Sequence, residues 1–416
     1  MSRILDVYMH GDLVGKLVQG KRGGLSFVYD AAYIKARKWA LSISLPVQEE
    51  AFEGNQVRAF FSGLLPDDLV RHTLAKYLGV SDKNPFALLE AIGGECAGAL
   101  SLYLEGTPFE KSKDDDVEIL DDKKLKEILD LLKRRPLLAG EDGIRLSLAG
   151  AQDKLAVGFK DGQVALIKGT TPTTHILKPL IERVEDSVHN EYFCMRLAKS
   201  IGIDAPHVDM YVVESTPCFL IERYDRVIHD DGTVTRLHQE DFCQALGILP
   251  EIKYEREGGP NIANCQNLIK SHAARPAVDR IKLLERVIFN YLIGNADAHG
   301  KNFSFLYRKR KPDLAPAYDL LSTAIYPDLS DKMAMKIGGK YKPNDVFLRH
   351  WYKLIPDTKA AQRNLGKQLV DLAHKTNDHA HALKDSLEKE GIKSVVFEKI
   401  CAVVKKNAED IFEQLK

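Results

Sequence analysis

The residues best suited to chemistry lie together in segment 294–302, which has the sequence Gly-Asn-Ala-Asp-Ala-His-Gly-Lys-Asn. Within it, Asp297 and Asn302 are five residues apart, in a turn-prone stretch that follows the apolar run 287–293. Kinases use this Asp-x-x-x-x-Asn spacing so that one loop directs a carboxylate at a substrate hydroxyl while the Asn amide oxygen reaches a magnesium ion. Asp319 follows seventeen residues after Asn302 and could complete a set of oxygen ligands, which suit Mg²⁺. The pattern is therefore typical of a phosphoryl-transfer site.

Residues upstream of this segment could bind a nucleotide. Lys178 ends a short predicted strand and could neutralise phosphate charge, and Glu191, thirteen residues on, lies in a predicted helix from which its carboxylate could reach that lysine. The small residues of segment 147–154 precede another strand and could let backbone N–H groups approach phosphate oxygens. The apolar strand 219–222 offers backbone groups to an adenine edge. The predicted nucleotide-binding residues are Ala149, Gly150, Ala151, Gln152, Lys154, Lys178 and Glu222.

Each of these features also has a purely structural interpretation. Asp and Asn at this spacing are commonly turn formers or helix caps, and a lysine on a strand is usually solvated. Segment 147–154 contains one glycine and matches neither a Walker A sequence nor a Gly-x-Gly-x-x-Gly loop. The order of the features along the chain, which is the order that a kinase requires, favours the functional interpretation.

The composition excludes several other classes of protein. Lys plus Arg and Asp plus Glu number 59 each in 416 residues, so no global field would attract nucleic acid or an anionic membrane. The apolar fraction of 44% is that of an ordinary folded protein of two or three subdomains. The chain shows no membrane span or signal sequence, which predicts a cytoplasmic protein. Six well-separated cysteines without a Cys-x-x-Cys pair predict reduced core thiols.

Hydrophobic periodicity predicts an α+β fold in four parts. Residues 1–105 form a small α/β subdomain with strands 4–8, 13–17 and 25–29, and 106–140 form a connector, charged at 111–116, followed by an amphipathic helix at 121–136. Residues 141–235 form a mixed ATP-binding lobe in which Ser187 caps a helix over about 188–200. Residues 236–416 form an all-helical catalytic lobe.

Together these stretches resemble the HipA family of bacterial toxin kinases, the toxin half of type II toxin–antitoxin modules. The likeness runs almost from end to end. The stretches that carry it are 41–46, 61–67, 92–99, 147–154, 173–178, 190–192, 222–226, 239–241, 297–302 and 318–319.

The resemblance implies a two-lobed protein-kinase-like fold and a non-specific serine/threonine protein kinase that uses ATP and Mg²⁺. Asp297 would then be the catalytic carboxylate, Asn302 and Asp319 the metal ligands, Lys178 a phosphate contact, and Ser147 an autophosphorylated serine that acts as an inactivating switch. It further implies a serine of an aminoacyl-tRNA synthetase, such as the glutamyl enzyme, as substrate. The implied partners are a HipB-like helix-turn-helix antitoxin and, mainly through that antitoxin, operator DNA.

Two other functions stay open on the sequence. A nucleotide-bound corepressor that tethers an antitoxin on DNA would not need Asp297, Asn302 and Asp319 all at once. A small-molecule phosphotransferase of the aminoglycoside kind shares the Asp-x-x-x-x-Asn loop, but such enzymes usually have His two residues before the Asp, where this chain has Asn295.

Overall fold

A computed structural model of the chain describes residues 2–36, 39–107, 117–141 and 143–415. The chain forms two compact units, each assembled from separate stretches. The first comprises Met1–Pro179, Tyr211–Ile252 and Ser304–Pro312, and the second Leu180–Met210, Lys253–Phe303 and Asp313–Lys416. The charged connector predicted at 111–116 lies outside the described residues, and the four-part division predicted from the sequence stays a prediction.

The first unit begins with an antiparallel sheet and the helices that cover it. Its elements are β1 (Arg3–Met9), β2 (Asp12–Gln19), β3 (Leu25–Tyr29), α1 (Ala31–Lys35), β4 (Phe52–Glu53), α2 (Asn55–Gly63), α3 (Asp68–Leu78), α4 (Pro85–Ile92), β5 (Glu95–Cys96) and β6 (Leu100–Leu104). The strand order is β4-β3-β2-β1-β6. His10 and Gly11 join β1 to β2 with φ of 54° and 82°, the left-handed conformations of a tight hairpin turn. Alternate residues such as Leu5 and Val7 are fully buried, so one face of the sheet forms a core.

A second antiparallel sheet of the first unit carries the predicted nucleotide-binding residues. The elements of this part of the chain are β7 (Val117–Ile119), α5 (Asp122–Leu132), β8 (Leu146–Ser147), β9 (Leu155–Lys160), β10 (Gln163–Ile167), β11 (His175–Lys178) and β13 (Thr216–Glu222). The strands pair in the order β13-β11-β9-β10-β7. The two-residue strand β8 lies outside this sheet and pairs in parallel with β5. The chain crosses from the second unit to the first within β12 (Val208–Val213).

The rest of the first unit is built from short elements. They are β14 (Arg226–Ile228), β15 (Val234–Arg236), β16 (His238–Asp241), α7 (Phe242–Leu246) and β17 (Ser304–Tyr307). β16 pairs with β17 in antiparallel register, with Glu240 opposite Phe305.

The second unit is mainly helical. It contains α6 (Ser187–Ser200), α8 (Ile262–His272), α9 (Pro276–Leu292), β18 (Asp313–Leu314), α10 (Leu348–Trp351), α11 (Lys359–Lys389) and α12 (Val395–Leu415). α11 and α12 pack on each other and each packs on α6 and α9, and Phe193 of α6 stacks on Phe397 of α12 with ring centroids 5.0 Å apart. Within the part of the chain that the structure describes, no helix combines the length and apolar character needed to cross a membrane.

The structure confirms the α+β class and most predicted elements, and it corrects two details. The region after residue 236 is not all-helical, because β16, β17 and β18 lie in it; the apolar residues 303–307 suit a strand and find a partner far away in sequence. Ser187 is not the N-cap of α6. Asp186 takes that position with φ of 45°, and the Ser187 hydroxyl instead accepts the Ile181 N–H at 2.9 Å. The six cysteines are buried, as predicted.

Candidate active site

The segment 294–302 begins where α9 ends, at a glycine that cannot be replaced without strain. Gly294 has φ of +68°, and a Cβ there would lie 2.6 Å from the Ala324 Cβ and 2.8 Å from Val403 Cγ1. Its carbonyl accepts the N–H groups of Thr323 and Ala324 at 3.1 and 3.0 Å. The loop therefore starts from a fixed point in the helical core.

Asp297 is partly exposed and its main chain is held within the same loop. Its N–H donates to Asn295 Oδ1 at 3.0 Å, and its carbonyl accepts the His299 N–H at 2.8 Å. The Tyr254 hydroxyl donates to Asp297 Oδ1 at 2.7 Å. The carboxylate thus has a defined orientation at the surface of the second unit, as a group that must meet a substrate hydroxyl requires.

Asn302 and Asp319, the predicted metal ligands, are in contact. Asn302 Nδ2 donates to Asp319 Oδ2 at 2.6 Å, and Asn302 Oδ1 accepts the His299 N–H at 3.0 Å. The amide nitrogen of Asn302 therefore faces the Asp319 carboxylate, and an amide or carboxylate oxygen that accepts one hydrogen bond keeps a second lone pair for a ligand. Oxygen donors are the set that Mg²⁺ prefers, so the two residues fit a magnesium ion bound to a nucleotide.

The backbone around Asp319 is held in an uncommon conformation. Asp319 has φ of 58°, which non-glycine residues seldom adopt, and this bend sets the direction of its carboxylate. The preceding residue, Tyr318, donates its hydroxyl to the Lys301 carbonyl at 2.6 Å and so ties the bend to the loop that carries Asn302. Further upstream, Arg286 of α9 donates to the Ala315 carbonyl at 2.5 Å. Hydrogen bonds therefore hold the backbone next to Asn302, at Lys301, and the backbone that leads to Asp319, at Ala315 and Tyr318.

The predicted phosphate-binding residues lie together in the first unit. Gln152 Nε2 donates to the carbonyl of Pro179, which follows Lys178, at 3.0 Å, so segment 149–154 lies beside the end of β11. Lys154 Nζ donates to the Ala149 carbonyl at 2.5 Å, which closes the segment into a loop. Gly150 has φ of 113°, a conformation in which an L side chain would be strained. The small-residue loop thus lies beside the strand end that carries Lys178, and phosphate binding by these residues stays a prediction.

Lys178 and Glu222 lie on the paired strands β11 and β13. Lys178 is buried opposite Phe219, and its Nζ lies 5.6 Å from the centre of that ring. Glu222 is opposite His175 at the other end of the pair and is partly exposed. Glu191 is buried on α6 in the second unit, whereas Lys178 belongs to the first, and their pairing stays a prediction.

Ser147 is fully buried in the first unit. Its hydroxyl donates to the Leu64 carbonyl at 2.7 Å, and β8, on which it lies, pairs with Cys96 of β5. A serine in this environment is not available to a kinase, so any phosphorylation requires that β8 first leave β5.

Comparison with known proteins identifies the family of the chain. The family model described as the HipA-like C-terminal domain matches residues 146–387, and the HipA N-terminal domain matches residues 5–103. The chain belongs to the HipA family. This agrees with the resemblance drawn from its motifs.

Curated relatives of this HipA-family chain bear the names of kinases. The protein named "Putative kinase Y4mE" of Sinorhizobium fredii (strain NBRC 101917 / NGR234) is 44% identical over 92% of this chain and 93% of its own length. The serine/threonine-protein kinase toxin HipA of Shewanella oneidensis MR-1 is 32% identical over 83% of this chain and 82% of its own length.

A solved structure shares the HipA fold almost completely. It is the complex of HipA, HipB and operator DNA from Shewanella oneidensis MR-1. The match has a TM-score of 0.80 and 26% identity, and it covers 99% of this chain and 96% of the other.

The structure also shows site residues that sequence reasoning missed. Tyr254, which contacts Asp297, lies 43 residues before it in a segment that carries no motif. His299 is buried at the centre of the loop and makes a T-shaped contact with the Tyr254 ring at 5.2 Å. The sequence held no signal for Tyr254, because its partner is distant in the chain; the position of His299 within the Asp-x-x-x-x-Asn segment could have indicated its structural role.

Proposed function

We propose that this HipA-family chain transfers the γ-phosphoryl group of ATP to a serine hydroxyl of a protein. The observation that carries the proposal is the arrangement in the second unit, where Asn302 and Asp319 are in contact and Asp297 is fixed five residues before Asn302. The family and the name of the Shewanella relative support the same reaction.

The residues of the chain have separate tasks in this reaction. Asp297 accepts the hydrogen bond of the serine hydroxyl, orients its oxygen towards the γ-phosphorus, and receives the proton as the new P–O bond forms. The bond between the γ-phosphorus and the β,γ-bridging oxygen breaks in the same step, and ADP leaves with that oxygen. Asn302 and Asp319 would hold the Mg²⁺ of the nucleotide, which when bound neutralises charge on the phosphates. Lys178 and the N–H groups of segment 149–154 bind the phosphate oxygens, and the backbone near Glu222 binds the adenine edge.

Ser147 is the proposed inactivating autophosphorylation site. Phosphorylation adds a charge of about −1.5 to −2, which cannot be accommodated at a fully buried position against the Leu64 carbonyl. Phosphorylated Ser147 would therefore keep β8 away from β5, and the attached segment 149–154 would lose the position from which it binds phosphate. ATP binding would then fall and transfer would stop.

The proposed substrate and partners rest on the family resemblance. We propose a serine of an aminoacyl-tRNA synthetase, such as the glutamyl enzyme, as the acceptor, with arrest of translation as the consequence. The Shewanella structure contains HipB and operator DNA. By analogy we propose a HipB-like antitoxin as partner of this chain, with operator DNA bound mainly through it.

Labelling with γ-³²P-ATP and Mg²⁺ tests the proposal, with the purified chain alone and with bacterial lysate, followed by mass spectrometric mapping of phosphorylated residues. We expect label on the chain and on a lysate protein, and a loss of at least about 1,000-fold in Asp297→Ala, which removes the group that orients and deprotonates the acceptor. Asp328→Ala, at an exposed position of the same unit, should label as the wild type does.

The Ser147 variant separates the two parts of the proposal. Ser147→Ala should lose the label on the chain itself but retain transfer to the lysate protein. Unchanged labelling of the chain in Ser147→Ala would exclude this serine as the switch, and full transfer by Asp297→Ala would exclude the proposed catalytic residue.

A further inference from the structure

The side chain of Tyr254, which lies outside the loop 294–302, contacts the predicted catalytic carboxylate. Its hydroxyl donates to Asp297 Oδ1 at 2.7 Å, the distance of a strong hydrogen bond to a carboxylate. We propose that Tyr254 is a positioning residue that holds the Asp297 carboxylate in the rotamer required for phosphoryl transfer, a role that rests on the kinase activity proposed above.

The ring of Tyr254 is itself fixed from several directions. The His299 ring meets it edge to face at 5.2 Å and 82°, and the Arg256 guanidinium lies 4.9 Å from its centre. Lys253 Nζ lies 5.8 Å from the same ring. Contacts between aromatic rings and with cations each favour one ring orientation, so the hydroxyl is presented to Asp297 in one direction.

The backbone that carries Tyr254 is fastened to the backbone that carries Asp297. Glu255 N–H donates to the Ala334 carbonyl at 3.1 Å, and the Ala334 N–H donates to the carbonyl of Ala296, next to Asp297, at 2.7 Å. The Glu255 side chain accepts the Lys336 N–H at 2.6 Å, and its other oxygen lies 3.5 Å from Lys336 Nζ. The segment 334–336 therefore fixes the two ends of the tyrosine contact relative to each other.

This arrangement suits a positioning role for a physical reason. An aspartate side chain can turn about two bonds, and each turn would move the oxygen that has to accept the serine proton. A phenol bound to one carboxylate oxygen removes that freedom before substrate arrives, and such preorganisation lowers the barrier of the chemical step without changing how tightly ATP binds. The opposite possibility is that the hydroxyl occupies the place of the substrate hydroxyl and inhibits transfer, and the same variant distinguishes the two.

The decisive variant is Tyr254→Phe, which deletes the hydroxyl and keeps the ring that packs on His299. Single-turnover self-labelling of the full chain with γ-³²P-ATP and Mg²⁺, over a range of ATP concentrations, gives a maximal rate and a half-saturating ATP concentration. We expect the maximal rate to fall about 10-fold to 100-fold and the half-saturating concentration to stay within about twofold, as for loss of a hydrogen bond to a charged group. Tyr33→Phe, which loses a hydroxyl that donates to the Trp39 carbonyl at 2.9 Å in the first unit, is the matched control and should retain the wild-type rate.

A second measurement tests the contact without relying on activity. In protein labelled with 3-fluorotyrosine, the ¹⁹F signal that disappears in Tyr254→Phe belongs to Tyr254, and it should move in Asp297→Ala while the Tyr33 signal does not. If the ¹⁹F chemical shift of Tyr254 is the same in the wild type and in Asp297→Ala, the contact between the two residues is overturned.

The outcomes separate the two proposals. A wild type without transfer overturns the proposed function and, with it, any catalytic use of Tyr254. An active wild type with an equally active Tyr254→Phe overturns only the positioning role. A variant faster than the wild type also overturns it, because the hydroxyl would then be blocking the carboxylate.

Discussion

At the scale of single residues, the proposed metal site depends on Asn302 and Asp319, which are in contact in the second unit. We predict that Asp319→Asn, which keeps the size of the side chain and removes its charge, lowers the maximal transfer rate by at least about 100-fold. Binding of ATP should weaken in the presence of Mg²⁺ but not in its absence, because the lost charge attracts the metal and repels the bare nucleotide. Isothermal titration calorimetry with and without Mg²⁺ measures both.

Asp313→Asn is a matched control for this variant. Asp313 lies six residues earlier in the same segment and is paired with Arg275 at 3.1 Å. Its loss should leave the magnesium dependence of ATP binding unchanged. If Asp319→Asn weakened ATP binding equally with and without Mg²⁺, the carboxylate would act on the nucleotide or on the fold and not as a metal ligand.

The sequence predicted Asp297, Asn302 and Asp319 because their roles depend on short spacings, and the structure places the last two in contact. It did not predict that Asn302 would contact Asp319 through its amide nitrogen, nor that Tyr254 would contact Asp297. These hydrogen bonds join residues 17 and 43 positions apart. They depend on how the unit packs, so no local sequence pattern predicts them.

At the scale of elements, Gly294 determines how α9 passes into the loop that carries Asp297. We predict that Gly294→Ala lowers the free energy of unfolding by about 3 kcal/mol or more. Two costs add in this variant: a left-handed φ for an L residue, about 1–2 kcal/mol, and a Cβ that overlaps Ala324 and Val403 in a packed core. Urea unfolding followed by circular dichroism measures the change.

Gly391→Ala separates these two costs. Gly391 follows Glu390, the C-cap of α11, and has φ of 86°, but no atom lies within 4 Å of the position that its Cβ would take. The control should therefore lose only the conformational part, about 1–2 kcal/mol. Equal losses in both variants would mean that the helical core around Gly294 relaxes to admit a methyl group.

Elements were predictable where local chemistry defines them. Asn84 caps α4 ahead of Pro85, and Asp121 caps α5, whose buried residues Leu125 and Leu129 follow the helical period. The N-cap of α6 was predicted one residue too late, at Ser187 instead of Asp186. Asp186 adopts a left-handed conformation that no local sequence pattern predicts. The pairing of β16 with β17 joins residues more than sixty positions apart and has no local signal.

At the scale of the whole molecule, a buried group of charges joins the two regions that the HipA family models match. Glu95 belongs to the N-terminal match, and Arg223, Asp225 and Arg226 belong to the C-terminal match, all within the first unit. Arg226 donates to Glu95 Oε1 at 2.6 Å, and Arg223 donates to both oxygens of Asp225 at 3.0 and 2.9 Å. Asp225 in turn accepts the Gly98 N–H at 2.7 Å. The sequence showed these residues as separate family motifs, and the structure shows that they form one network.

The network makes stability depend on pH in a defined direction. Burial opposes ionisation of Glu95, but Arg226 and Arg223 outweigh it and lower the pKa of its carboxyl. The pKa of Asp225 is lowered for the same reason, with Arg223 as its strongest cationic neighbour. Carboxyls with lowered folded-state pKa values contribute fully above the unfolded pKa of about 4 and lose their contribution as pH falls through the folded value. The free energy of unfolding should therefore decrease below about pH 5.

Glu95→Gln tests whether this network holds the two family regions together. Because the change leaves Arg226 and Arg223 buried with one carboxylate fewer, we expect the free energy of unfolding at pH 7 to fall by about 3–5 kcal/mol. The further decrease between pH 5 and pH 3 should be shallower than in the wild type, since one of the two carboxyls that resist protonation is gone. Urea unfolding at pH 7, 5, 4 and 3 measures both effects. Glu398→Gln removes an exposed carboxylate of α12 that pairs with Lys384 of α11, and this control should change neither quantity. A Glu95→Gln protein with wild-type stability and pH dependence would show that Asp225 alone compensates the arginines and that the N-terminal region is held by its apolar contacts.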